Sequence, residues 1–80
     1  MDHPTPAPHS DAAVAATIRR HMGDTTTERQ LANETLIPRT TLNRKMQARA
    51  SFTVSELAGI AAVLGVSVPD LLAEAEEVTA

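Results

Sequence analysis

The sequence predicts an all-α protein, a compact five-helix orthogonal bundle that contains a helix-turn-helix, and three observations lead there. Apolar residues recur at helical spacing in several short segments, serine or threonine caps precede most of them, and the connections between them are only a few residues long. The chain has 80 residues and no cysteine, so one small domain must hold together by packing alone, without a disulfide framework or a thiolate metal site. Helices with local contacts suit that requirement.

The elements follow in order. Pro4, Pro6 and Pro8 stand among the first nine residues with little apolar material between them, which predicts a disordered arm over 1–9. Ser10 then caps a helix over about 11–22, where Val14, Ile18 and Met22 recur every fourth residue and Gly23 ends the run. Thr27 with Gln30 has capping-box spacing and opens a short second helix, about 28–34. Pro38 has no amide hydrogen and fits only a first helical turn, so a third helix begins at or beside it and carries Leu42 and Met46 one turn apart. Thr35, Leu36 and Ile37 are left as the connection, with Ile37 plugging the corner.

Phe52, Thr53, Glu56 and Leu57 match a hydrophobic staple around a capping box. The helix they start, VSELAGIAAVL, is apolar on nearly every side, as expected of a central helix packed all round, and Gly65 stops it. Val66, Ser67, Asp70 and Leu71 repeat the device for a fifth helix with Leu72 and Ala75. The domain is expected to span 10–76, with a frayed acidic tail over 77–80. Leu71, Leu72, Ala75 and Val78 leave two readings open: they close the core, or part of the stripe is a dimer seam.

Charge is strongly polarised although the net value is only -3. Arg19, Arg20, Arg29, Arg39, Arg44, Lys45 and Arg49 all fall in one internal stretch, and residues 38–50 hold four cations and no acid. Beyond residue 50 there are only acids, so the field itself argues for an anionic partner on one side of the domain. Two short helices joined by about three residues, the second basic and outward-facing, describe a helix-turn-helix reading the DNA major groove. With Leu42 inward and ~100° per residue, Thr40, Asn43, Arg44 and Gln47 face outward, and Arg39 sits in the first turn within reach of a groove. Arginine suits guanine, asparagine suits adenine and a threonine methyl suits thymine. Base readout is therefore assigned to Arg39, Thr40, Asn43 and Arg44, and phosphate contact to Thr27, Arg29, Thr41, Lys45, Gln47 and Arg49.

At these residues the chain resembles a known family. The stretch TTTERQLANETLIPRTTLNRKMQARASFTVSELAGIAAVLGVSVPDLL is similar to the lambda-repressor-like, Cro-type (XRE-like) helix-turn-helix domain, over about residues 12–75. The matching pieces are Leu31-Ala32, Ile37, Arg39-Thr40-Thr41-Leu42, Glu56-Leu57, Ala61, Leu64-Gly65-Val66 and Asp70-Leu71. The resemblance implies a five-helix, often dimeric DNA-binding domain in a transcriptional regulator of a phage, prophage or bacterium. It also implies base contacts from Arg39, Thr40, Asn43 and Arg44. Two departures stand out. Leu36 replaces the family's usual glycine and is expected to pack instead of turning left-handed, and Glu28 replaces a frequent phosphate-binding glutamine, so that contact is not carried over.

Other functions find less support. A single Phe with no Trp or Tyr gives no stacking platform for single strands or sugars. His3, His9 and His21 lack the spacing of a zinc motif and read as structural or exposed, while Met22 and Met46 read as core filler. No activated-nucleophile motif is present, and no enzyme, cofactor, metal or small-molecule ligand is expected. No apolar run is long enough to span a bilayer, and the opening MDHPTPAPHSD lacks the basic head and apolar stretch of a secretory signal, so the expected compartment is the cytosol. The arm holds no Lys or Arg and is a poor minor-groove reader. The leading expectation is a sequence-specific regulator, repressor or Cro-like, bound to a double-stranded operator, with homodimerisation on DNA as an option. The competing one is a protein-interaction module, antitoxin-like or a host-takeover factor, on the same scaffold.

Overall fold

The computed structural model describes residues 10–79, with side chains through Glu76. Five helices follow one another: α1 (Asp11–Met22), α2 (Glu28–Thr35), α3 (Arg39–Met46), α4 (Val54–Leu64) and α5 (Val68–Thr79). There is no strand among the described residues. The expected arm at 1–9 lies outside them, and α5 runs past residue 76 to Thr79.

Local chemistry accounts for each start. The Ser10 Oγ accepts from the Ala13 N–H at 3.0 Å, the Thr27 Oγ1 from Gln30 at 3.1 Å, the Thr53 Oγ1 from Glu56 at 3.1 Å and the Ser67 Oγ from Asp70 at 3.1 Å. Each satisfies an N–H that the helix itself leaves without an acceptor. Thr53 heads a full capping box, because the Glu56 carboxylate reaches back to the Thr53 N–H at 2.8 Å. At α2 the box is half made: the Gln30 side chain turns forward to Glu34 at 3.2 Å instead of back.

The centre of the bundle is α1, not α4. Ala13, Val14, Ala15, Thr17, Ile18 and Met22 are all buried, and α1 packs most extensively on α5 and also on α3. The buried Thr17 hydroxyl is satisfied by the Ala13 carbonyl at 2.9 Å. In α4 only Leu57, Ile60 and Ala61 are buried, while Ala58 and Ala62 face outward and Val54 is 78% exposed. The expectation of a helix packed all round fails for a physical reason: alanine serves helix propensity as readily as burial. The α4 and α5 axes turn through 99°, which gives the orthogonal packing. Leu71 and Ala75 are fully buried and close the core, with Leu72 half-buried against it. No single helix among the described residues is long and apolar enough to cross a membrane.

Among the described residues two non-glycines take left-handed backbone, Leu36 (φ 63°) and Ala48 (φ 61°). Leu36 does not pack: it is 87% exposed and left-handed, in the conformation that glycine would supply. The chain must reverse between α2 and α3 within three residues, and Ile37 (7% exposed) takes the buried corner, so Leu36 absorbs the turn. Its side chain contributes almost no burial to offset the strain. Leu36→Gly is therefore expected to stabilise the protein by ~1 kcal/mol, a rise of ~4–8 °C in Tm for a domain of this size. Thermal unfolding checks this; a fall in Tm would mean that the turn is unstrained and only glycine's backbone entropy was felt.

Candidate nucleic-acid interface

The interface is built on α3, an eight-residue helix that offers just Leu42 and Met46 to the core, at 0% and 1% exposure. So short a helix does not persist alone in water, and three further contacts hold it. Arg19 Nη2 on α1 donates to the Met46 carbonyl at 2.8 Å, capping the C-terminal end of α3. Lys45 Nζ bonds Glu56 Oε1 on α4 at 2.6 Å. Beyond Met46 the left-handed Ala48 lets the Arg49 N–H reach back to the Arg44 carbonyl at 2.9 Å, a glycine-style helix stop made without glycine.

With its back fixed, α3 and its C-cap Gln47 expose Arg39, Thr40, Asn43, Arg44 and Gln47 to solvent. An open cleft of about 580 Å³ is lined by Arg39, Thr40, Asn43 and Arg44 together with Glu28 from the first turn of α2. The four residues assigned to base readout thus line one concavity. Across it, Asn43 Nδ2 donates to Glu28 Oε1 at 3.1 Å, and Gln47 Nε2 donates to Asn43 Oδ1 at 3.0 Å. Pro38 precedes α3 with no side-chain cap, so the first backbone N–H groups of α3 lack an intrahelical acceptor.

The residues assigned to phosphate divide. Thr27, Arg29, Gln47 and Arg49 are exposed, and Thr41 is half-buried. Lys45 stands apart: its side chain is 13% exposed and its ammonium is engaged by Glu56. Of the remaining cations, Arg19 caps α3 and Arg20 pairs with Glu74 at 2.8 Å, joined there by His21 Nε2 at 2.9 Å. Arg29, Arg39, Arg44 and Arg49 keep their guanidinium groups free of protein partners among the described residues. The basic stretch thus separates into structural cations on α1 and the back of α3, and unpaired ones on α2, on the outer side of α3 and just beyond its end. His21, expected to be structural or exposed, is held by Glu74, whereas His3 and His9 lie outside the described residues. Among the described residues no group of three or more His, Asp or Glu is placed to hold a metal ion.

The crystal structure of the clp gene regulator ClgR from Corynebacterium glutamicum matches this fold with a TM-score of 0.75, over 90% of this chain and 76% of that one, at 30% sequence identity. This chain belongs to the same helix-turn-helix family. No protein-family model and no curated protein matches the sequence. Within the helix-turn-helix frame, the pairs Lys45–Glu56 and Arg19–Met46 are among the contacts that the sequence pattern does not reveal, because separations of 11 and 27 residues leave no periodic signal.

Burial pushes the Glu56 carboxyl upward, but the hydrogen bonds from Lys45 and Thr53 and the Lys45 charge outweigh it and hold Glu56 below the ordinary carboxylate value. Glu74 is lowered by its bonds from Arg20 and His21. A carboxyl depressed in the folded state contributes stability that is complete above its unfolded value and is lost as pH falls through its folded value. Acid unfolding of Glu56→Gln should accordingly show a flatter loss below about pH 4.5 than the parent protein. At neutral pH, Thr53→Ala is expected to cost ~1 kcal/mol. Glu56→Ala should cost more, ~2 kcal/mol, since it also strands the poorly exposed Lys45 ammonium. Denaturant melts of both variants check the order; equal losses would mean that the Lys45 pair contributes nothing.

Proposed function

We propose that the protein is a sequence-specific, double-stranded-DNA-binding transcriptional regulator, non-enzymatic, that places α3 in the major groove and alters transcription by occupying an operator. One observation carries the reading: Arg39, Thr40, Asn43 and Arg44 line a single exposed cleft on a helix whose other side is clamped to the core. Donors on a helix so fixed suit base edges, where arginine is bidentate to guanine and asparagine to adenine. Arg29 and Arg49, with the Thr27 hydroxyl and the amides at the start of α2, suit the flanking phosphates. Thr41 and Gln47 complete that set, whereas Lys45 serves α3 itself. The likeness to a gene regulator supports the general role. The resemblance to Cro-type domains supports the finer one, a repressor of phage or prophage type acting as a two-fold dimer in the bacterial cytosol or nucleoid.

Selection of bound duplexes from a random pool at near-physiological salt, with the mass of the complex on the winning site, tests this. One enriched motif is expected, with two half-sites about 34 Å apart if two copies bind symmetrically. Log affinity should fall with log salt by ~0.9 per neutralised phosphate. Arg44→Ala should lose ~5- to 150-fold against its own base pair and relax preference there. Arg49→Ala should weaken all duplexes alike and flatten the salt slope by about one contact. No enriched motif, with binding abolished by modest salt, would contradict the proposal and point to a protein partner.

A further inference from the structure

One residue in the cleft has chemistry opposite to its neighbours. Glu28 opens α2, and its carboxylate leans across to the middle of α3 and meets Asn43 at 3.1 Å. We propose that Glu28 is itself a specificity-determining residue, a carboxylate held in the recognition cleft to accept a hydrogen bond from the exocyclic amine of cytosine. The inference rests on the reading of α3 as the groove-entering helix.

The geometry limits what else Glu28 can do. A carboxylate carries about four acceptor sites, and Asn43 occupies one on Oε1. Neither Arg39 nor Arg44 ion-pairs with it among the described residues, although both line the same cleft, so its charge is not consumed by the neighbouring guanidiniums. The Asn43 amide is fixed in sense: a carboxylate has no hydrogen to give, so the NH2 must face Glu28, and Gln47 holds the oxygen from the other side at 3.0 Å. One N–H and one lone pair of Asn43 are left unused by these two bonds, and wherever they meet a base edge Glu28 is one side chain away. Against phosphate such a carboxylate is repelled.

The major groove then selects the ligand. Guanine offers O6 and N7 and thymine offers O4, all acceptors that repel a carboxylate; adenine offers its amine only beside the N7 acceptor; cytosine offers a donor alone. A C·G pair also sets the cytosine amine beside guanine O6 and N7, so a carboxylate and an arginine from the same cleft can read the two halves of one pair. Glu28 on cytosine with Arg39 or Arg44 on its guanine uses the mixed charge of the cleft, which phosphate binding would not.

The experiment is selection from the same random duplex pool with the full chain and with Glu28→Gln, the fold of the variant checked by thermal melting. Glutamine keeps the shape and the acceptor toward Asn43 but adds a donor, and it suits adenine. The parent motif should contain a cytosine at a position where the Glu28→Gln motif turns to adenine or loses preference, all other positions holding. On the parent site the variant should discriminate against replacement of that cytosine ~5- to 150-fold less than the parent does. An unchanged motif with affinity shifted equally for every duplex would overturn the inference, leaving Glu28 a source of field and nothing more. A parent protein that enriches no motif would overturn the reading beneath it as well, so the two failures are told apart.

Discussion

The seat of α3 against the core is the constraint on which the rest depends. Its two inward side chains, Leu42 and Met46, bury completely, and each large apolar side chain so buried contributes ~1.5–3 kcal/mol. That is enough to hold one turn but not to fix an eight-residue helix in azimuth and register. The Arg19 bond to the Met46 carbonyl and the Lys45 bond to Glu56 supply the remaining restraints, from α1 and α4 respectively. Because Glu56 also closes the capping box of α4, one carboxylate ties the start of α4 to the back of α3. Polar groups on the outer side of α3 can then be presented without being spent on holding the helix.

Both ends of α3 are bracketed by left-handed corners made of residues that do not favour them, Leu36 before it and Ala48 after it. Strain of this kind persists only where surrounding structure over-determines the backbone. At Leu36 the buried Ile37 next in the chain leaves the turn no other course, and at Ala48 the Arg49 N–H bond to the Arg44 carbonyl fixes it. The second corner also sets where Arg49 leaves the helix, so a backbone feature positions one of the unpaired cations. The strain therefore sits around the candidate interface and not in the α1 and α5 packing.

Much of the fold was legible because short-range chemistry encodes it. Ser10, Thr27, Thr53 and Ser67 each sit one residue before a helix they cap, and the outward set on α3 follows from placing Leu42 inward. What was illegible is either long-range or ambiguous in composition. The diversion of Lys45 to Glu56 cannot be read from a local cluster of positive charge, and alanines gave α4 the look of a helix buried on all sides. Leu36 misled in a different way: an apolar residue in place of glycine suggested packing, whereas the tightness of the turn governed its conformation. Glu28 was legible only as a departure, and its approach to Asn43 required the structure.

The claim at the centre of this account is that α3 enters the major groove, and chemical interference on the protein's selected duplex tests it directly. Dimethyl sulfate methylates guanine N7 in the major groove and adenine N3 in the minor groove, so one reaction probes both. Bound duplexes are expected to be depleted of N7-methylated guanines within the selected site, while N3-methylated adenines there are retained. Depletion of the N3-methylated adenines with tolerance of N7 methylation would place the protein in the minor groove and contradict it.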